Sequence, residues 1–210
     1  MTGFLLVLLL TSPQPRQFAD AETRNFLRNP DASQGSRRWN AFGNATIEDV
    51  ASGSCFVLRG GGRFTQVVSI SEGNEDLHVV MLGRVMSEHV HPDAIITDRP
   101  YLYGLAMNEA GRILGYLQGQ TMRGRGPSPH RWETAYGIFH VPEGTTRIQF
   151  ELRQGLRNGV PYTGAGARFD DLALYVATSE SSAREIAASR VTESPIEVGV
   201  VTLPVSVPRR

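Results

Sequence analysis

The chain has 210 residues, with 21 basic and 21 acidic side chains and a formal charge of +0. That balance argues against a nucleic-acid partner, because phosphate binding needs a basic surface. Every basic residue is Arg, so the absence of Lys excludes Schiff-base chemistry, a phosphate-loop Lys and a Ser–Lys nucleophile pair.

The N-terminal stretch contains Phe4–Leu10 (FLLVLLL), an apolar run far shorter than the roughly 20 residues that span a bilayer. It matches the core of a secretory signal. Ala19-Asp20-Ala21 supplies a cleavage pattern before Glu22, although no Arg precedes the apolar run. The reading divides the chain into a signal segment at 1–21, a binding domain at 22–177, and a linker with a β-prone tail at 178–210. It predicts a secreted or periplasmic protein with no transmembrane span.

From there the pattern is strand and turn, with no run that reads as a long amphipathic helix. Ala45–Val50 is a short strand. Gly53–Arg59 and Arg63–Ile70 both alternate, and Gly60-Gly61-Gly62 between them predicts a hairpin turn. Cys55 reads as a buried small hydrophobe, and Trp39 and Trp132 as core residues. Leu77–Met86 is the next strand. The loop Ser87–Arg99 carries His89, His91 and Asp93, whose H-x-H spacing is one a zinc site could use.

Pro100–Asn108 and Ile113–Gln120 flank the turn Glu109-Ala110-Gly111-Arg112, a second predicted hairpin. Arg123–Pro129 is a Gly/Pro/Arg loop. Arg131–Val141 leads to a turn at Pro142-Glu143-Gly144-Thr145. In Arg147–Arg153, Ile148, Phe150 and Leu152 face inward, while Gln149, Glu151 and Arg153 face water. Arg168–Val176 (RFDDLALYV) is the closing strand. Thr178–Ser194 reads as a linker, with a short helix around Ala183–Ala188 as the alternative. Ile196–Val207 is either an added edge strand or a tail that docks on a partner protein.

An Asn29-Pro30 opening, Trp39 downstream, Val141–Phe150 (VPEGTTRIQF) and the final Phe169-Asp170-Asp171-Leu172-Ala173-Leu174 together resemble the galactose-binding-like domains of the carbohydrate-binding-module type. The resemblance covers residues 25–177. It implies an all-β fold, a two-sheet antiparallel jelly-roll β-sandwich, and a non-catalytic binding role. More distantly, FLRNP with Trp39, CFVLR and FTQVVSI is similar to F-box-associated domains, a similarity of fold alone.

In sandwiches of this type a structural Ca²⁺, where present, takes ligands from the opening loop and from an Asp at the start of the final strand. That implies Asn29, Asp31 and Asp170 here. Strict alternation puts Asp170 in phase with Leu172, Leu174 and Val176, so one carboxylate of the Asp-Asp pair should face the better-packed side. A charge there needs a cation or an Arg to compensate it. The metal-free alternative pairs Asp170 with Arg28 or Arg168.

Sugar binding needs aromatic platforms for apolar C–H faces and polar groups for the hydroxyl rim. Tyr101, Tyr103, Tyr116, Tyr136 and Tyr162 form the pool. Tyr101 and Tyr103 share one strand face, and Tyr116, Gln118 and Gln120 form a matching set on the partner strand. These five residues are the expected ligand face. The function expected is glycan or cell-surface ligand binding. A structural or protein–protein module is the first alternative, and a metal-dependent enzyme using His89, His91 and Asp93 the second.

Overall fold

The computed structural model describes residues 24–70, 76–87, 100–119, 131–154, 156–157, 160–161, 166–191, 196–197 and 200–204. The expected signal segment 1–21, the predicted loop with His89, His91 and Asp93, Tyr162 and Gln120 lie outside the described residues. The fold is the expected jelly-roll β-sandwich, and among the described residues one helix lies on its outer surface.

Strands β1 (Asn40–Val50) and β2 (Gly53–Ser69) form a hairpin through Ala51 and Ser52, with a register shift between Phe42 and Asn44. The predicted hairpin at the glycine triplet does not form: Gly60–Gly62 lie inside one 17-residue strand. Gly60 and Gly61 hold left-handed φ values of 56° and 82°. A Cβ at Gly62 would sit 2.5 Å from the Asn44 carbonyl oxygen. Side-chain-free residues therefore bend the strand pair where it could not otherwise close up.

That bend lets β2 serve both sheets. Phe56–Leu58 pair with β10 (Ala167–Ala177), while Arg63–Ser69 pair with β7 (Arg147–Arg153). On one side the order continues from β10 through β3 (His78–Ser87) to β6 (Glu133–His140), with β11 (Ile196–Glu197) parallel to β6. On the other it continues from β7 through β4 (Tyr101–Met107) to β5 (Ile113–Gly119) and β12 (Val200–Pro204). Leu156–Arg157 (β8) and Val160–Pro161 (β9) form a separate small ladder.

The predicted β4–β5 hairpin is present, and its turn is tied by Asn108. The Asn108 side chain accepts from Arg112 N–H at 2.9 Å, and its carbonyl accepts from Gly111 N–H at 2.9 Å. The Pro142–Thr145 turn also forms, with Gly144 at φ 77°. Between the sheets lies one aromatic core. Trp39 and Phe56 have ring centroids 4.9 Å apart, Phe56 and Phe64 5.1 Å, and Trp39 and Phe150 6.1 Å. Trp132 departs from its core expectation. It is half-buried under the Arg84 guanidinium, 5.3 Å from the ring centre.

Residues 180–190 are a helix rather than a linker. Helix α1 (Glu180–Arg190) is capped by Ser179, whose hydroxyl accepts from Ser182 N–H at 3.2 Å. Its buried Ala183 and Ala187 pack with Val80, Leu82, Ile138, Ala173 and Tyr175 on the outer face of β6, β3 and β10. The β-prone tail behind it supplies β11 and β12, so its described backbone pairs within its own chain.

Candidate functional site

The face of β2, β7, β4 and β5 opposite the core carries the expected ligand residues. Register places Tyr103 opposite both Gln118 and Glu151, Tyr101 opposite Arg153, and Leu105 opposite both Tyr116 and Gln149. Directly paired residues share a sheet face, so Tyr101, Tyr103, Tyr116 and Gln118 stand together. Ring centroids are 6.2 Å apart for Tyr101–Tyr103 and 6.3 Å for Tyr103–Tyr116. Tyr136, also in the pool, belongs elsewhere: it packs beside α1 on the other sheet.

Sequence alternation predicted that Glu151 faces water. It does point away from the core, yet it is only 1% exposed. Gln149 and Arg153, two residues to either side on the same strand, both donate to its carboxylate. Arg153 also lies over the Tyr103 ring, 4.3 Å from its centre, and hydrogen-bonds the Tyr101 side chain. A Gln–Glu–Arg chain on the neighbouring strand thus locks the side of the tyrosine cluster. Burial pushes the Tyr103 phenol up to about 12, so that hydroxyl stays protonated and can donate. The missed residues carried a signal, the shared phase of Gln149, Glu151 and Arg153. Nothing in the sequence said that β7 lies beside β4.

The metal candidates divide. The opening loop does meet the final strand, since Leu172 N–H donates to Pro30 O at 3.1 Å. Asn29, however, is spent on its own loop. Its amide donates to Gly35 O and Arg37 O at 2.8 and 3.0 Å, and its Oδ1 accepts from Gln34 N–H at 2.9 Å. Asp31 Oδ1 accepts from both the N–H and the hydroxyl of Ser33, which hold its pKa low.

Asp170 corrects the phase argument. A bulge between Asp170 and Ala173, with Asp171 at φ 48°, shifts the alternation by one. Phe169 and Leu172 therefore both enter the core, and Asp170 is carried to the outer side. Arg84 stands opposite Asp170 in the ladder and meets Asp171 at 3.7 Å, whereas Arg168 pairs with Glu48 at 2.9 Å. Burial, with the nearby charges of Asp171 and Asp31 adding to it, raises the Asp170 pKa. Among the described residues, no group of three or more His, Cys, Asp or Glu side chains is placed to hold a metal ion.

No protein-family model and no curated protein sequence matches the chain. Its fold matches solved structures at low identity. A cyclase from Fischerella sp. TAU is 9% identical, with a TM-score of 0.50, over 73% of this chain and 96% of that one. TmCBM61 in complex with β-1,4-galactotriose is 14% identical, with a TM-score of 0.46, over 72% and 98%. The CBM22-1 xylan-binding domain of Paenibacillus barcinonensis Xyn10C is 11% identical, with a TM-score of 0.44, over 70% and 90%. The likeness to the cyclase is one of fold alone. No described helix is long and apolar enough to cross a membrane.

Proposed function

We propose that this chain is a non-catalytic, exported glycan-binding module whose ligand lies on the β2–β7–β4–β5 face. The observation that carries the reading is a locked polar-aromatic face: Tyr101, Tyr103 and Tyr116 stand beside the Gln149–Glu151–Arg153 chain, whose Arg153 guanidinium covers the Tyr103 ring. Half-buried Tyr101 and Tyr116 offer apolar ring surface to the C–H groups of a pyranose. Gln118, Gln149 and the phenols supply donors and acceptors for its hydroxyls, already oriented before the sugar arrives. In this reading Gln120 also contacts the ligand, and residues 1–21 direct export to the cell exterior or periplasm.

The test is glycan-array binding of the full chain, with melting curves recorded alongside. Saturable binding that weakens about tenfold in Tyr101→Ala or Tyr116→Ala, without loss of fold, supports the proposal. Binding that ignores both substitutions overturns it.

A structural Ca²⁺ near Asp31 and Asp170 is a separable part of the proposal. It draws support from the raised Asp170 pKa, because a partly buried carboxylate that holds its proton gains most from a cation. Asn29 would contribute only through its backbone. A melting temperature that rises with Ca²⁺ in the native chain and not in Asp170→Asn is the expected result.

A further inference from the structure

Some of the described arginines are neutralised by carboxylates. Arg59 and Arg168 pair with Glu48, Arg84 with Asp171, Arg153 with Glu151, and Arg184 with Glu180. Three others stand together. Arg24, Arg28 and Arg38 line a cleft of about 540 Å³ with Phe26, Val67 and Ser69, and among the described residues no carboxylate lines it. Among the described residues, none of these three guanidiniums has an ion-pair partner.

The cleft has a rigid frame. The buried Gln66 amide grips Arg28 at both backbone groups, accepting from its N–H at 2.7 Å and donating to its carbonyl at 2.9 Å. The Trp39 indole donates to the Arg28 and Asn29 carbonyls at 3.1 and 3.0 Å. Phe26 N–H donates to Leu174 O at 2.9 Å, and Arg24 stacks over the Phe26 ring at 5.8 Å. Arg38 sits at φ 77°, a conformation unfavourable for a long side chain, and its neighbour Trp39 is anchored in the core. A fixed backbone thus holds three like charges at one cleft, an arrangement that costs repulsion unless an anion enters it.

The cleft also adjoins the tyrosine face. Val67, 46% exposed, stands opposite Gln149, which stands opposite Leu105, which stands opposite Tyr116. Three strand spacings put the cleft about 14 Å from Tyr116 along a single row. We propose that the cleft is an anion subsite and that the ligand of this face is an acidic polysaccharide, bearing uronate carboxylates or sulfate esters. The planar fork of Arg matches either group with two parallel hydrogen bonds. On a chain of zero net charge, three arginines at one cleft make a locally positive site that favours an anionic ligand. The inference rests on the glycan-binding reading and deepens it.

The experiment measures full-chain affinity for polygalacturonate, dextran sulfate, neutral dextran, neutral galactan and single-stranded DNA. The proteins are the native chain, a triple Arg24→Gln/Arg28→Gln/Arg38→Gln variant, an Arg24→Gln/Arg28→Gln variant that leaves Arg38 untouched, Tyr101→Ala and Tyr116→Ala. The expected result is binding to an acidic polysaccharide that weakens as salt is raised and falls about tenfold or more in both Arg variants. Polygalacturonate against dextran sulfate tells carboxylate from sulfate. Neutral galactan bound equally well by native and Arg-variant chains, with no preference for acidic polymers, overturns the anion subsite and leaves the glycan reading intact. Acidic-polymer binding that needs the arginines and ignores both tyrosines overturns the glycan-face reading. DNA bound as tightly as the acidic polysaccharides overturns the assignment to glycan.

Discussion

At the scale of single residues, the energetics turn on where charge is left without water. Glu151 is enclosed and held by two neighbours on its own strand. Asp170 is the opposite case: its carboxylate accepts from Asp171 N–H at 2.8 Å, and burial still raises its pKa above the ordinary 3.8. The native state therefore binds this proton more tightly than the unfolded chain does. By linkage, Asp170 lowers stability progressively as pH rises from 3.8 through its folded pKa. Asp170→Asn keeps an acceptor for Asp171 N–H and removes the charge. In EDTA, melting curves should show the variant more stable at neutral pH, with the difference closing as pH falls below 3.8. A gap that persists at low pH would mean that the effect is not one of charge.

At the scale of elements, helix α1 and the bend of β2 decide what the sheets expose. The outer face of β6, β3 and β10 carries Val80, Leu82, Ile138 and Tyr175, an apolar set that α1 covers with two alanines. Removing residues 178–210 uncovers that face, so the truncated chain should melt earlier and associate through it. Ser179→Ala probes the same element gently. Loss of the cap costs about 1 kcal/mol, which for a chain of this size lowers Tm by about 2–4 °C. Equal melting temperatures for native, Ser179→Ala and truncated chains would show that the helix adds no stability.

Across the whole molecule, one core joins the two sheets. Its members come from β2, β3, β4, β5, β6, β7 and β10, and β2 runs through both layers. The edge that β2 vacates on β10 is filled by the opening segment: the Asn25 side chain accepts from Leu174 N–H at 3.1 Å and donates to Leu172 O at 2.9 Å. Neither layer can release its partner without exposing that core. Calorimetry should therefore record a single transition, with calorimetric and van't Hoff enthalpies in agreement. Two resolved transitions would show that the sheets unfold separately. The same continuity supports a preformed ligand face, because β7 and β4 are interior strands of their layer.

Taken alone, the sequence determined the local half of this description. Alternation in Arg147–Arg153 assigned inward and outward faces, the two-residue spacing put Tyr101 and Tyr103 on one strand face, and Gly111 and Gly144 marked turns that need positive φ. Those signals are carried by side chains and by residues adjacent along the chain, and they sufficed for strands and turns and for grouping the tyrosines, whereas the β-sandwich followed from the resemblance to galactose-binding-like domains. The tertiary structure alone decided which strands are neighbours, because ladder hydrogen bonds join backbone groups that are alike at every position. Hence Glu151 beside Tyr103, β2 shared between sheets and the Asp170 bulge were illegible. Helix α1 was obscured because its buried side is made of alanines, and only the apolar sheet it covers gives that side a reason to be buried.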